Sequence, residues 1–207
     1  MYTAFSGSGN MRTLGPMSSD PHTVQLLRLA AELGRRYGLP IYGVALTDAR
    51  MPDPQAACER AVQMQVALDA GVNLIQGPTS MMDQMMLSSF AQAVIDNDIV
   101  GYVLAAHCRP EISPETLALE AIHEVVTDPT LKALRFAAHP HTVRHLRDHL
   151  WHPQTFSYDS YDVWQRTGSQ TVVERAVAVA RDILSRHHPE PVPRDVADEI
   201  ARIAEEP

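Results

Sequence analysis

The segment from Pro40 to Leu46 is apolar along its whole length, interrupted only by Gly43, and a helix start at Asp53-Pro54 comes soon after it. A strand that is apolar on both faces must be covered on both, which implies parallel strands with helices packed over them. The same alternation recurs on either side. Tyr2 to Gly7 reads as a first strand running into the turn-rich Ser6-Gly7-Ser8-Gly9-Asn10, and Val72 to Ile75 reads as a third, followed by a loop at Gly77-Pro78-Thr79-Ser80. Between them, Ser19-Asp20-Pro21 and Asp53-Pro54 put a capping side chain just ahead of a first-turn proline. Leu26, Leu29, Ala30 and Leu33 recur at helical spacing and end at Gly38, and Ala57, Ala61, Met64 and Leu68 end at Gly71. The expected fold class is α/β, built from about three β/α units.

After the third strand the pattern becomes helical. The sequence predicts helix over much of Met85–Leu104, from Pro114 to Val126 with Ser113 as cap, over His141–His149, from Gln170 to Arg186, and from Arg194 to Glu205. Phe136-Ala137-Ala138 reads as a brief strand or extended turn, and Pro189–Pro193 as a connector. The expected division is residues 1–110 as β/α units and 111–207 as a helical extension. A closed (β/α) barrel takes eight strands and about 250 residues. The expectation is therefore a partial barrel, completed by chain outside these residues or by a partner subunit, since bare sheet edges are normally paired or covered.

Charge and composition narrow the partners. A formal net charge of −8 with scattered basic residues disfavours a nucleic-acid backbone as partner. No apolar run approaches the ~18 residues of a membrane span, and Met1-Tyr2-Thr3-Ala4-Phe5 lacks the pattern of a secretory signal. The expected location is the cytoplasm. Cys58 and Cys108 are too few for a disulfide framework and are expected to be small packed residues.

Several segments in order resemble the trimethylamine:corrinoid methyltransferase family. They include Asn10-Met11-Arg12-Thr13, Tyr37-Gly38-Leu39-Pro40 and Thr47-Asp48-Ala49-Arg50-Met51-Pro52-Asp53-Pro54-Gln55-Ala56. Further matches are Gly71-Val72-Asn73-Leu74-Ile75, Ser88-Ser89-Phe90-Ala91-Gln92, and the stretch from Val94 to Gly101. Glu115 to Ile122, His139-Pro140-His141-Thr142, Trp151-His152-Pro153 and the tail from Ile183 to Ile203 extend the likeness to nearly the whole chain. The resemblance implies a TIM-type barrel whose C-terminal part alone corresponds to this sequence. It also implies transfer of a methyl group from a methylated amine to the Co(I) of a corrinoid carried by a partner protein. With only standard residues, the chain resembles the members without pyrrolysine, which include glycine betaine methyltransferases. A non-catalytic interaction module retaining the docking surface is the alternative, and a homo-oligomer or a second chain completing the barrel is expected.

A corrinoid brings its own nucleophile, so the protein's task is to align the donor and hold a cation, using carboxylates or aromatic faces at strand ends. Ser6–Arg12, Thr47–Arg50 and Gln76–Asp83 occupy such positions. Asp48 is the expected catalytic residue, placed just past a buried strand to offset a quaternary charge; an Asx turn is the plainer role for a loop aspartate. Asn10, Arg12, Thr47 and Gln76 are expected to bind substrate, with Arg12 suited to a betaine carboxylate. Met81 and Met82, clustered with Met85 and Met86, offer adaptable thioethers for a substrate or corrinoid face, or simply fill core. Gly77–Ser80 has the composition of a phosphate-cradling loop. His141, His145 and His149 share one helix face, but nothing nearby supplies the remaining ligands of a zinc site, so no tightly bound metal is expected.

Overall fold

The computed structural model describes residues 2–3, 8–134, 136–146 and 150–205. The N-terminal half contains β1 (Tyr2–Thr3), β2 (Ser8–Gly9), β3 (Pro16–Met17), α1 (Pro21–Tyr37), β4 (Ile41–Val44) and α2 (Pro54–Asp69). It continues through β5 (Leu74–Gln76), β6 (Met81–Met82), β7 (Leu87–Ser88) and α3 (Phe90–His107). Helices follow: α4 (Pro114–Leu117), α5 (Leu119–Thr127), α6 (Pro129–Leu134), a 3₁₀ turn at Phe136–Ala138, and α7 (Pro140–His145). The last three are α8 (Tyr161–Arg166), α9 (Val172–Arg186) and α10 (Arg194–Glu205).

The α/β class holds. The sheet order is β1-β4-β5, with β4 parallel to both neighbours and Tyr42 opposite Leu74. Among the described residues it is open, with β1 and β5 at its edges. Two short antiparallel hairpins, β2–β3 and β6–β7, rise beyond the strand ends. The helix starts follow from local chemistry: Asp20 accepts from His22 N at 2.8 Å and Asp53 from Ala56 N at 3.0 Å, each ahead of a proline. Gly38 closes α1 at φ 65°, a conformation that favours glycine.

α1 is helical as the spacing predicts, but its buried face is rotated from the leucine row. Leu27, Ala31 and Gly34 face inward, whereas Leu26, Leu29 and Leu33 are exposed. The reason is the close approach of Ile41 to Gly34, where a Cβ would overlap the isoleucine side chain. A small-residue stripe lets the strand dock, and bulkier leucines are turned outward.

The segment around Met85 is not helical. Asp83, Gln84 and Met85 have φ of 47°, 57° and 73°, which turns β6 back into β7, and α3 begins only at Phe90 behind the Ser89 cap. Likewise the helix expected from Pro114 is split at Ala118, whose φ is 50°. Phe136–Ala138 is a 3₁₀ turn rather than a strand. Tyr161–Arg166 adds a helix that the sequence pattern does not announce. Part of the expected first strand (residues 4–7), and residues 147–149, fall outside the described residues.

The core forms where α3 packs between α2 and α9, around Met64, Val94, Ile95, Ile99, Val103 and Ala176. A second cluster, Leu27, Ala31, Ile41, Ala67 and Val72, seals α1 and α2 onto β4. Among the described residues no helix is long and apolar enough to cross a membrane.

Candidate functional site

A cleft of about 970 Å³ opens between α1, α2 and the β2–β3 hairpin, beside the chain leaving β4. Its wall carries three carboxylates, Asp20, Asp48 and Glu59, together with Asn10, Arg28, Arg50 and Cys58. Each carboxylate is fixed by hydrogen bonds. Asp48 is half-buried and reaches 30 residues back along the chain to take Ser18 N at 3.1 and 3.0 Å, Ser18 Oγ at 2.7 Å and Ser19 N at 3.0 Å. It therefore pins the start of α1 to the end of β4, a long-range tie rather than a local Asx turn.

Glu59 accepts from Thr47 Oγ1 at 2.6 Å, Asp48 N at 2.9 Å and Gln55 Nε2 at 2.8 Å. Thr47 is fully buried, and its hydroxyl donates to Glu59 while accepting from Ala49 N at 3.0 Å. Asp20 accepts from Ser8 Oγ at 2.5 Å and Thr23 Oγ1 at 2.8 Å besides His22 N. Burial alone raises its pKa, but these donors outweigh it and hold the carboxyl below the usual range. The three carboxylates are thus held in place on a wall that also carries Arg28 and Arg50.

The sequence-predicted residues divide. Asn10 lines the cleft, its Oδ1 taking Arg12 N at 2.9 Å to set the hairpin turn. Asp48 lines it as well, and Thr47 supports it. Arg12 is exposed on the turn and is not among the lining residues; the arginines on the wall are Arg28 and Arg50. Gln76 ends β5, exposed and outside the cleft lining. Met82 is buried, the Met81 carbonyl accepts from Arg60, and Met85 and Met86 are exposed. Met17, Leu46, Met85 and Met86 border a smaller, mainly apolar hollow of about 400 Å³. The Gly77–Ser80 loop is held internally by Arg60 and Asp96: Gly77 O accepts from Arg60 Nη1 at 2.6 Å, and Ser80 N donates to Asp96 at 2.7 Å. Cys58 and Cys108 are both exposed rather than packed, Cys58 because it lies on the cleft side of α2.

Glu59 escaped the sequence reading. Its signal was the polar row Gln55, Glu59 and Gln63, four residues apart on α2 and so on one helix face. Gln63, almost fully buried, clamps Leu46 through both of its backbone groups at 3.3 and 2.7 Å.

The sequence profile of the trimethylamine methyltransferase (MTTB) family matches residues 1–205. A trimethylamine methyltransferase of Methanosarcina mazei is 33% identical over 176 residues, covering 84% of this chain and 34% of that protein. A trimethylamine methyltransferase of Desulfitobacterium hafniense is 29% identical over 177 residues, covering 85% and 34%. A glycine betaine methyltransferase of Desulfitobacterium hafniense is 24% identical over 190 residues, covering 91% and 38%. The chain thus spans about a third of the length of these relatives. Matched along almost its entire length, it belongs to the trimethylamine methyltransferase family.

Proposed function

We propose that this chain forms the donor-binding part of a methyltransferase that takes a methyl group from a small methylated amine, such as glycine betaine or trimethylamine, for a corrinoid protein. The observation that carries this reading is the convergence of Asp20, Asp48 and Glu59 on one cleft at the end of β4. Fixed carboxylates stabilise a quaternary or tertiary ammonium without having to reorganise around it. Asp48 and Glu59 act as the cation-holding pair, Asn10 shapes the rim, and Thr47 orients Glu59. Arg28 and Arg50 on the same wall suit the carboxylate of a betaine. Arg12 and Gln76, exposed beyond the cleft, are assigned to contacts with whatever completes the site.

A corrinoid, when bound, supplies the nucleophilic cobalt. The apolar hollow at Met17, Leu46, Met85 and Met86 fits the flank of such a ring, because thioethers adapt to irregular apolar surfaces. On this reading residues 1–110 are the closing β/α units of a TIM-type barrel in the cytoplasm and 111–207 an extension packed against it. The open edges of the sheet would be paired by further chain or a partner subunit. Those edges also favour a second reading, an interaction module without turnover.

Loss of Co(I) absorbance after mixing reduced corrinoid with the folded protein and each amine distinguishes the two. Donor-dependent loss is expected. Asp48→Asn removes the charge and keeps one of the two acceptor oxygens that hold Ser18 and Ser19, and should slow the reaction by about tenfold or more, equivalent to roughly 1.4 kcal/mol, with circular dichroism checking that the fold is kept. Turnover unchanged in Asp48→Asn would remove this residue from the site, and no loss from folded wild type would support the interaction module.

A further inference from the structure

Away from the carboxylate-lined cleft, α4 meets α7 around a group of metal-ligating side chains. His141 and His145 lie one turn apart on α7 with ring centroids 4.5 Å from each other, and their side chains are only 23% and 25% exposed. Glu115, in the first turn of α4, reaches them both: Oε1 is 3.1 Å from His145 Nε2 and 3.9 Å from His141 Nε2. One ligand atom from each of the three lies within 4.8 Å of the other two.

We infer that Glu115, His141 and His145 bind a divalent transition metal of the zinc type. Two imidazoles and a carboxylate match its ligand preference, whereas magnesium and calcium take oxygen-rich sets. With metal–ligand bonds of 2.0–2.2 Å, neighbouring ligands of a tetrahedral site stand about 3.4 Å apart. The two Glu–His distances, 3.1 and 3.9 Å, bracket that value. Three protein ligands leave a fourth position for another donor, and His141 and His145 border a hollow of about 210 Å³ together with Pro110, Glu111 and Thr116.

The groups now in contact with the three must give way. Arg144 Nη1 is 3.0 Å from Glu115 Oε1, but its side chain is 65% exposed and free to swing into solvent. His141 Nε2 is 2.8 Å from the Glu115 carbonyl oxygen, so ligation requires the tautomer with the proton on Nδ1. The hydrogen bond from His145, helped by the Arg144 charge, already holds Glu115 below the usual carboxylate range. His139 is engaged elsewhere, with Nε2 3.1 Å from Glu124 and Nδ1 accepting from His141 N, and His149 lies outside the described residues. The ligand missing from the local sequence comes from 30 residues before His145, delivered by the fold. The ion would clip α4 to α7.

The test uses the full chain without an affinity tag, stripped with a chelator and titrated calorimetrically with zinc chloride, with magnesium chloride as control. Uptake of one zinc ion per chain is expected. Binding should be lost in His141→Gln and in His145→Gln, weakened in the exposed Glu115→Gln, and kept in His188→Gln, with circular dichroism reporting the folding of each. Cobalt(II) added to wild type should give the visible bands of a four-coordinate nitrogen–oxygen site, a readout that needs no variant. Wild type that takes up no zinc, or binding that survives unchanged in His141→Gln and His145→Gln, overturns the inference.

Discussion

Arg60→Met is expected to lower stability at neutral pH by about 3–5 kcal/mol, the usual effect of leaving a buried charge without its partner. Arg60 Nε lies 3.0 Å from Asp96 Oδ1, with both side chains fully buried. The same guanidinium donates to Gly77 O at 2.6 Å and to Met81 O, so one arginine on α2 holds both α3 and the Gly77–Met81 loop. Urea unfolding of the variant measures the loss. Adding Asp96→Leu should recover a substantial part of it, because an apolar pair in place of a buried ion pair is often near neutral. The recovery is incomplete, since the two loop carbonyls still lack their donor and Ser80 N loses its acceptor.

The pair also makes a prediction about pH. Burial pushes the Asp96 carboxyl up to about 6, against the opposing pull of Arg60, Gln92 and the Ser80 N–H. In the unfolded chain this group titrates near its ordinary 3.8. Between these values the folded state binds more protons than the unfolded state, so the contribution of this residue to stability falls as pH rises from about 4 to about 6. Above that it is constant. The size is about 3 kcal/mol, from the difference between the two pKa values. Comparing wild type with Asp96→Asn at about pH 4.5 and pH 7 isolates it from carboxylates of opposite trend, such as Asp20. Wild type should gain relative to Asp96→Asn at the lower pH, and a gain at the higher pH would reverse the assignment.

Asp98→Ala is expected to release the segment that ties the C-terminal half to α3. The Asp98 carboxylate, 2% exposed, accepts from Gln154 N at 2.9 Å, Thr155 N at 2.5 Å, Thr155 Oγ1 at 2.6 Å and Phe156 N at 3.3 Å. Arg175 Nε donates to Thr155 O at 2.5 Å and carries the connection on to α9, where Ala176 is fully buried against α3. Alanine would strand several buried donors, at a total cost of about 3–4 kcal/mol. Trp151 packs edge-on against Tyr102 at 5.5 Å and Phe156 at 5.9 Å, so its fluorescence reports the detachment. Asp98→Asn, which keeps one acceptor oxygen, should lose less.

What could be read from the sequence was local. Asp20-Pro21, Asp53-Pro54 and Ser113-Pro114 mark helix starts because cap and proline act within one turn. The parallel strands were legible because Ile41–Val44 is apolar on both faces. The β6–β7 hairpin was hidden, since methionines favour helices and nothing in Asp83-Gln84-Met85 announces three successive positive φ values. In the candidate site, Asp48 was visible from its place after the strand. Its companions Asp20 and Glu59 were not, because tertiary folding brings them from two different helix starts and faces. Glu115 was out of sight for the same reason: neither of the histidines beside it is closer than 26 residues along the chain.

Calorimetric titration of glycine betaine and trimethylammonium into the folded chain, alongside Asp48→Asn and Glu59→Gln, tests the cation-holding role of the cleft most directly. Saturable binding by wild type is expected, with a dissociation constant about tenfold higher in each variant, or roughly 1.4 kcal/mol per carboxylate neutralised. Absence of saturable binding, or binding equally tight in both variants, would contradict that role.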